Sequence, residues 1–214
     1  MFRDREDAGK KLAARLRASR GTDTLVLAIP CGGVPVGFEV ARGLDAELSI
    51  VVARKLPFPE NPESGFGAVA EDGSRVVLSR FVPYLSKAVI REIVREQTEE
   101  IERRIRVLRG GEELPRIRGR TVVLVDDGIA MGSTMQAAIR LCRRRGPGTL
   151  IVGAPVASCT VRRRLAGKVD GIVILEEPPD FRAVAQVYAR WYDVPDTEVL
   201  RIMDRWRGGM EHES

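Results

Sequence analysis

The run Val122-Val123-Leu124-Val125 is aliphatic at every position, and Asp126-Asp127-Gly128 follows it directly. An unbroken apolar run fits a strand covered on both faces, as in a parallel sheet held between helix layers. Beyond the carboxylates, Gly128 and Gly132 mark a tight turn. Ser133-Thr134 then opens a helix with apolar Ala137, Ala138 and Leu141 that runs to about Arg145. Strand, turn and helix in this order restrict the chain to an α/β fold. They also build an anion site, because the turn's N–H groups converge and a helix start adds roughly half a positive charge. Acceptor-only carboxylates beside such a cradle suit the hydroxyls of a ribose, or waters on a magnesium ion.

A similar unit occurs upstream. Thr24 to Ile29 reads as a strand, Pro30-Cys31-Gly32-Gly33 as its turn, and Val36, Val40 and Leu44 as one face of a helix with Pro35 in its first turn. Before it, residues 5–18 read as an amphipathic helix broken at Gly21 to Asp23. Leu48 to Ala53 is expected as a strand that delivers Arg54-Lys55 to the ligand-binding edge of the sheet. Residues 56–66, rich in proline, are expected to form a lid loop hinged at Gly65 and Gly67. Ala68 to Ala70 and Arg75 to Leu78 read as a hairpin around Asp72-Gly73.

Ser86 to about Leu108 reads as a long charged helix with one apolar stripe, ending at Gly110-Gly111. Strands at Thr149 to Ala154 and Gly171 to Leu175 flank a short helix at Ser158 to Ala166. Phe181, Val184, Val187, Tyr188, Trp191 and Tyr192 gather near the C-terminus, before an expected frayed tail from Gly208 to Ser214. The alternation predicts a three-layer α/β/α sandwich with a mostly parallel sheet, in a single domain over residues 1–214. All candidate loops follow strands and so share one sheet edge.

Composition narrows the chemistry. The only histidine is His212, and Cys31, Cys142 and Cys159 are far apart, so neither a histidine-based metal site nor a disulfide framework is expected. The net charge of +5 comes mainly from arginine, with clusters at Arg143 to Arg145 and Arg162 to Arg164. Aromatic residues make up 5% and are not interleaved with that charge, so nucleic acid is not an expected partner. No apolar run is long enough to span a bilayer, and a cytoplasmic location is expected. Gly65-Phe66-Gly67 follows a loop rather than a strand, which argues against a dinucleotide fingerprint; no phosphate-binding G-x-x-x-x-G-K-[ST] motif occurs.

Val-Leu-Val-Asp-Asp-Gly-Ile-Ala-Met-Gly-Ser-Thr, residues 123–134, resembles the phosphoribosyl-pyrophosphate (PRPP) signature of the type I phosphoribosyltransferases. The resemblance extends over roughly residues 24–193 and is weakest across 72–115, the segment with the long helix. It implies that Asp126 and Asp127 hold the ribose hydroxyls as the catalytic pair, and that Ala130, Met131, Gly132, Ser133 and Thr134 hold the 5′-phosphate. It also implies that Cys31, Gly32, Gly33, Arg54 and Lys55 receive the pyrophosphate. Phe181 and Tyr188, in a hood-like segment at 176–207, would meet the acceptor. Mg²⁺ is the implied cofactor, held mainly by PRPP with help from Asp126 or Asp127.

The family's reaction is transfer of the phosphoribosyl group to a nitrogen acceptor, with a nucleobase and nucleotide metabolism as the leading expectation and a homodimer as a compatible assembly. Met131 replaces a usual threonine, Cys31 a usual basic residue, and Ala130 the aspartate that assists hypoxanthine-guanine enzymes. These departures motivate an alternative, a PRPP-binding regulatory or sensor protein with little turnover.

Overall fold

The computed structural model describes residues 1–20, 23–78 and 85–211; Gly21, Thr22 and the last tail residues, His212 to Ser214, lie outside it. In chain order, helix α1 (Arg5–Arg15) leads to strand β1 (Thr24–Ala28), helix α2 (Gly33–Leu44) and strand β2 (Glu47–Ile50). Strands β3 (Ala53–Phe58), β4 (Asn61–Ala70) and β5 (Arg75–Val77) come next, then the long helix α3 (Lys87–Arg109). The second half runs β6 (Thr121–Val125), α4 (Ser133–Arg144), β7 (Thr149–Val156), α5 (Val161–Leu165), β8 (Gly171–Glu176) and α6 (Asp196–Glu211).

The central sheet has the order β2-β1-β6-β7-β8, and every neighbouring pair is parallel. Successive side chains on a strand point to opposite faces. Val26, Ala28, Val123 and Val125 therefore join α1, α2 and α6 on one face, whereas Leu25, Leu27, Val122 and Leu124 meet α4 and α5 on the other. The fold is the expected three-layer α/β/α arrangement. No helix among the described residues is long and apolar enough to cross a membrane.

Topology fixes where a ligand can enter. The chain steps outward from β1 to β2, then returns to place β6 on the opposite side of β1. Strand order reverses between β1 and β6, and a crevice opens beyond their carboxyl ends. Ala28 pairs with Val125, so Ile29 and Asp126 leave the sheet side by side.

Three expectations need correction. The strand expected over 48–53 ends at Ile50, and Ala53 already belongs to β3 of a separate antiparallel sheet, β3-β4-β5. The apolar run Ile50 to Ala53 hid the change of sheet. The lid loop expected at 56–66 is the β3–β4 hairpin, with register shifts at Leu56/Pro57 and Pro57/Phe58. Proline tolerates such an edge position because no ladder hydrogen bond is required of it there. The tail expected from Gly208 is helical as far as Glu211, as the end of an α6 that the sequence pattern did not reveal.

Candidate active site at the β1–β6 crevice

Gly32 and Gly33 lie against the neighbouring loop. A Cβ on Gly32 would lie 2.0 Å from Asp127 Oδ2, and one on Gly33 would lie 3.0 Å from the Asp126 Cα. The two loops touch here, so a side chain at either position would push against the carboxylate turn and force it to shift. The Pro30–Cys31 peptide is cis.

Gly132, at φ 77°, caps α4 in the left-handed region, and no side chain caps the helix. Amides of the first turn are therefore left without helical partners. Four successive carbonyls are tied back. The Ser158 amide donates to Ile129 O at 3.0 Å, the Ser158 hydroxyl to Ala130 O at 2.8 Å, and Arg164 Nη1 to Met131 O at 2.7 Å. The Gln136 amide donates to Gly132 O at 2.9 Å. This turn borders a cavity of about 260 Å³ lined by residues 128–135, Asp126, Lys55 and Val184.

A second cavity, of about 580 Å³, shares Asp126, Lys55 and Thr134 with the first and adds Pro30, Arg54, Gln97 and Arg104. Arg54 and Lys55 thus reach the crevice, although from β3 of the small sheet rather than from a central strand. Arg104 comes from α3. Its Nε donates to Glu100 at 2.9 Å, and Nη1 approaches Cys31 Sγ at 3.7 Å. Hydrogen bonds from Arg103 and Arg104 hold the Glu100 carboxyl down to about 2, against the opposing effect of burial. Burial first, and then the neighbouring Arg104, lower the Arg54 pKa. Cations crowded in this way gain from an incoming polyanion.

The two aspartates differ in environment. Asp126 lines both cavities, and its Oδ1 accepts the Asp127 amide at 2.8 Å. Asp127 Oδ2 instead accepts Arg5 Nε at 2.8 Å, and Arg5 is only 5% exposed. Arg5 also donates to Tyr192 O at 2.9 Å and stacks over the Trp191 ring at 4.0 Å. Burial raises both carboxyl groups above the ordinary aspartate range. The Asp127 charge adds to the rise at Asp126, whereas Arg5 offsets it at Asp127. A third cavity, of about 340 Å³, lies beside this pair and is lined by Gly32, Cys31, Arg104, Val184 and Trp191 among others.

The Phosphoribosyl transferase domain family matches residues 2–187. The chain belongs to the phosphoribosyl transferase family. Two Mycobacterium tuberculosis proteins with phosphoribosyl transferase in their names, MT0597 and Rv0571c, are each 41% identical over 207 residues. Those alignments take in 96% of this chain but 47% of either relative, so the chain spans about half the length of the curated relatives it matches. The crystal structure of TT1426 from Thermus thermophilus superposes with a TM-score of 0.79 at 37% identity, covering 96% of this chain and 98% of that one.

Around the crevice of this phosphoribosyl transferase chain, the expected residues 30–33, 54–55 and 126–134 converge. Phe181 and Tyr188 are not among the residues that line these three cavities. Tyr188 is 6% exposed, packs on Phe2 and Trp191, and donates its hydroxyl to Asp127 O at 2.7 Å. Phe181 packs against the same small cluster. Arg5, Gln97, Arg104, Ser158 and Arg164 also reach the site, and no motif announces them. Arg5 meets Asp127 across 122 positions of sequence, a pairing that only the fold creates. Removing the Tyr188 hydroxyl in Tyr188→Phe should cost about 1 kcal/mol in urea denaturation, since the ring packing remains and one carbonyl loses its donor. An unchanged midpoint would mean that the bond contributes nothing.

Proposed function

We propose that the chain transfers the 5-phosphoribosyl group of PRPP to a nitrogen acceptor and releases pyrophosphate. The observation that carries this reading is the continuity of the crevice, from the amide-lined turn at 130–134, past Asp126, to Arg54, Lys55 and Arg104. On this reading the 5′-phosphate rests on Ala130 to Thr134, and Asp126 accepts the ribose hydroxyls. The loop Cys31-Gly32-Gly33 with Arg54, Lys55 and Arg104 receives the pyrophosphate. Arg104 supplies the positive charge that Cys31 does not.

In the transfer, a nitrogen lone pair forms the bond to ribose C1 as the C1–O bond breaks, and pyrophosphate departs with that electron pair. The acceptor's proton leaves to solvent. Charge on the departing oxygens grows against the three cations, which is electrostatic stabilisation without a protein nucleophile. Val184 and Trp191 border the cavity beside Asp127 and are better placed than Tyr188 to meet a planar acceptor.

Among the described residues, no cluster of three or more His, Cys, Asp or Glu could hold a metal ion unaided. Mg²⁺, however, needs only one or two carboxylates when phosphates supply its other ligands. Asp126, between the amide turn and the cations, fits that requirement; when bound, the ion would neutralise pyrophosphate charge.

Asp127 motivates the second reading. Because Arg5 already holds its carboxylate, a PRPP-binding regulator with little turnover is the competing possibility. Calorimetric titration of PRPP with Mg²⁺, beside pyrophosphate release over a panel of bases, separates the two. Release with at least one base supports the transferase; binding without release on every base supports the regulator; absence of binding removes both.

The acid limb of kcat/KM is a further check, since it reports groups of the free protein. Asp126 works as a carboxylate and its pKa is raised, so activity should fall with decreasing pH above the ordinary aspartate range. Arg5→Met removes a cation that lowers both carboxyl pKa values. The limb should then move to still higher pH, and an unmoved limb would contradict this assignment.

A further inference from the structure

Arg75 on β5, Arg140, Arg143 and Arg144 on α4, and Lys168 in the α5–β8 connection line a cavity of about 770 Å³, with Gln136 at one side. All five cations are exposed. This cavity is larger than any at the β1–β6 crevice and shares no lining residue with them. From the sequence, only Arg143 and Arg144 were visible as a cluster, at a helix end where cations are favourable anyway. The fold adds Arg75, Arg140 and Lys168 from three different segments.

Among the described residues, two carboxylates form ion pairs with these cations. Arg143 pairs with Asp170 at 3.1 Å, and Arg144 stands 3.7 Å from Asp72. Lys168 Nζ donates to Gln136 Oε1 at 2.9 Å, and Arg140 donates to Arg75 O. The Arg75 guanidinium makes no hydrogen bond or ion pair among the described residues. Five cations against two carboxylates leave an uncompensated positive field in a concave site. Its volume lies within the roughly 300–1,000 Å³ of small-ligand sites. Guanidinium groups fork onto phosphate oxygens, so several together favour a ligand with more than one phosphate.

We propose that this cavity is a second ligand site, distinct from the PRPP crevice, for a compact anion with two or more phosphate groups. Inorganic polyphosphate and nucleoside polyphosphates share that chemistry. A bare chain of phosphates would use the cations alone. A nucleotide would also place its base on the arginine planes.

The test is calorimetric titration of the whole chain with inorganic tripolyphosphate and, separately, with ATP, each repeated with PRPP and Mg²⁺ present. Arg75→Gln is the variant of choice because its side chain is exposed and makes no hydrogen bond or ion pair among the described residues; Arg75→Gln/Arg140→Gln is the second. Saturable binding that persists with PRPP present, weakens several-fold in Arg75→Gln, and weakens at least tenfold in the double variant is the expected result. Equal affinity for both probes identifies the phosphates alone, whereas tighter ATP binding adds the base; either result supports the site.

PRPP binding should be unchanged in both variants, so failure of the second site remains separate from failure of the transferase reading. Binding displaced by PRPP and indifferent to both variants would overturn the proposal, as would no saturable binding at millimolar probe. A single-stranded RNA that binds more tightly than ATP and is lost in the same variants would also overturn it, in favour of nucleic acid.

Discussion

Asp126→Asn should lower kcat/KM for PRPP by roughly 100-fold or more, the scale associated with loss of one well-placed polar group at a developing charge. Asp126 borders both the amide-lined turn and the cation-lined cavity, so it is the carboxylate a ribose between them would meet. Asparagine keeps the shape and one acceptor but loses the charge that would receive two hydroxyl donors or magnesium-bound water. Burial and Asp127 already disfavour the ionised form in the free protein. Removing the charge should therefore leave the melting temperature unchanged or slightly higher. Steady-state pyrophosphate release and a thermal melt on one preparation check both halves. Activity within about threefold of the parent would show that Asp126 does not carry the ribose contact, whereas a large loss of stability would show that its role is structural.

Arg109→Met should destabilise the fold by about 3–5 kcal/mol, the cost of leaving one half of a buried ion pair. Arg109 Nη2 and Nη1 reach Glu71 Oε1 and Oε2 at 2.9 and 3.0 Å, with side chains 7% and 5% exposed. The same guanidinium donates to Ile50 O at 2.8 Å and Glu112 O at 2.7 Å, and Glu71 accepts the Val52 amide at 2.9 Å. These bonds clamp the end of α3 to the point where the chain leaves the central sheet for the small one. For a chain of this size, that loss corresponds to a melting temperature roughly 10 °C lower by calorimetry. Glu71→Leu/Arg109→Met should be no worse than the single variant, because the stranded carboxylate is gone. A single variant melting within about 2 °C of the parent would show that solvent reaches and rescues Glu71.

The two clamps explain how a sheet switch can serve a site. Arg109 fixes the β2–β3 junction, and β3 carries Arg54 and Lys55 to the crevice. Arg103 meets Asp196 at the start of α6 at 3.1 Å, while Arg104 on the same helix faces Cys31. The long helix, which had no functional reading in the sequence, is therefore the element that brings charge to a loop lacking its own.

Much of the core and one half of the site could be read from residue order. Val122 to Val125, Asp126-Asp127 and the turn to Thr134 are contiguous, and a strand–turn–helix unit needs only local backbone preferences to define its turn. Thr24 to Gly33 could be read for the same reason. The strand end assigned to Arg54-Lys55 and the loop assigned to 56–66 were misread: an apolar run looks alike whether it continues a strand or passes between sheets. Proline on an edge strand likewise looks like proline in a loop.

The sequence by itself determined the α/β class, the parallel core and the carboxylate turn, because each depends on neighbours a few residues apart. Only the tertiary structure decided that Arg5 holds Asp127 while Asp126 faces the crevice, that Arg104 stands beside Cys31, and that Arg75, Arg140 and Lys168 share a cavity. Those are charge relations between segments far apart in the chain. Burial and approach distance, which set their strength, exist only once the layers have packed.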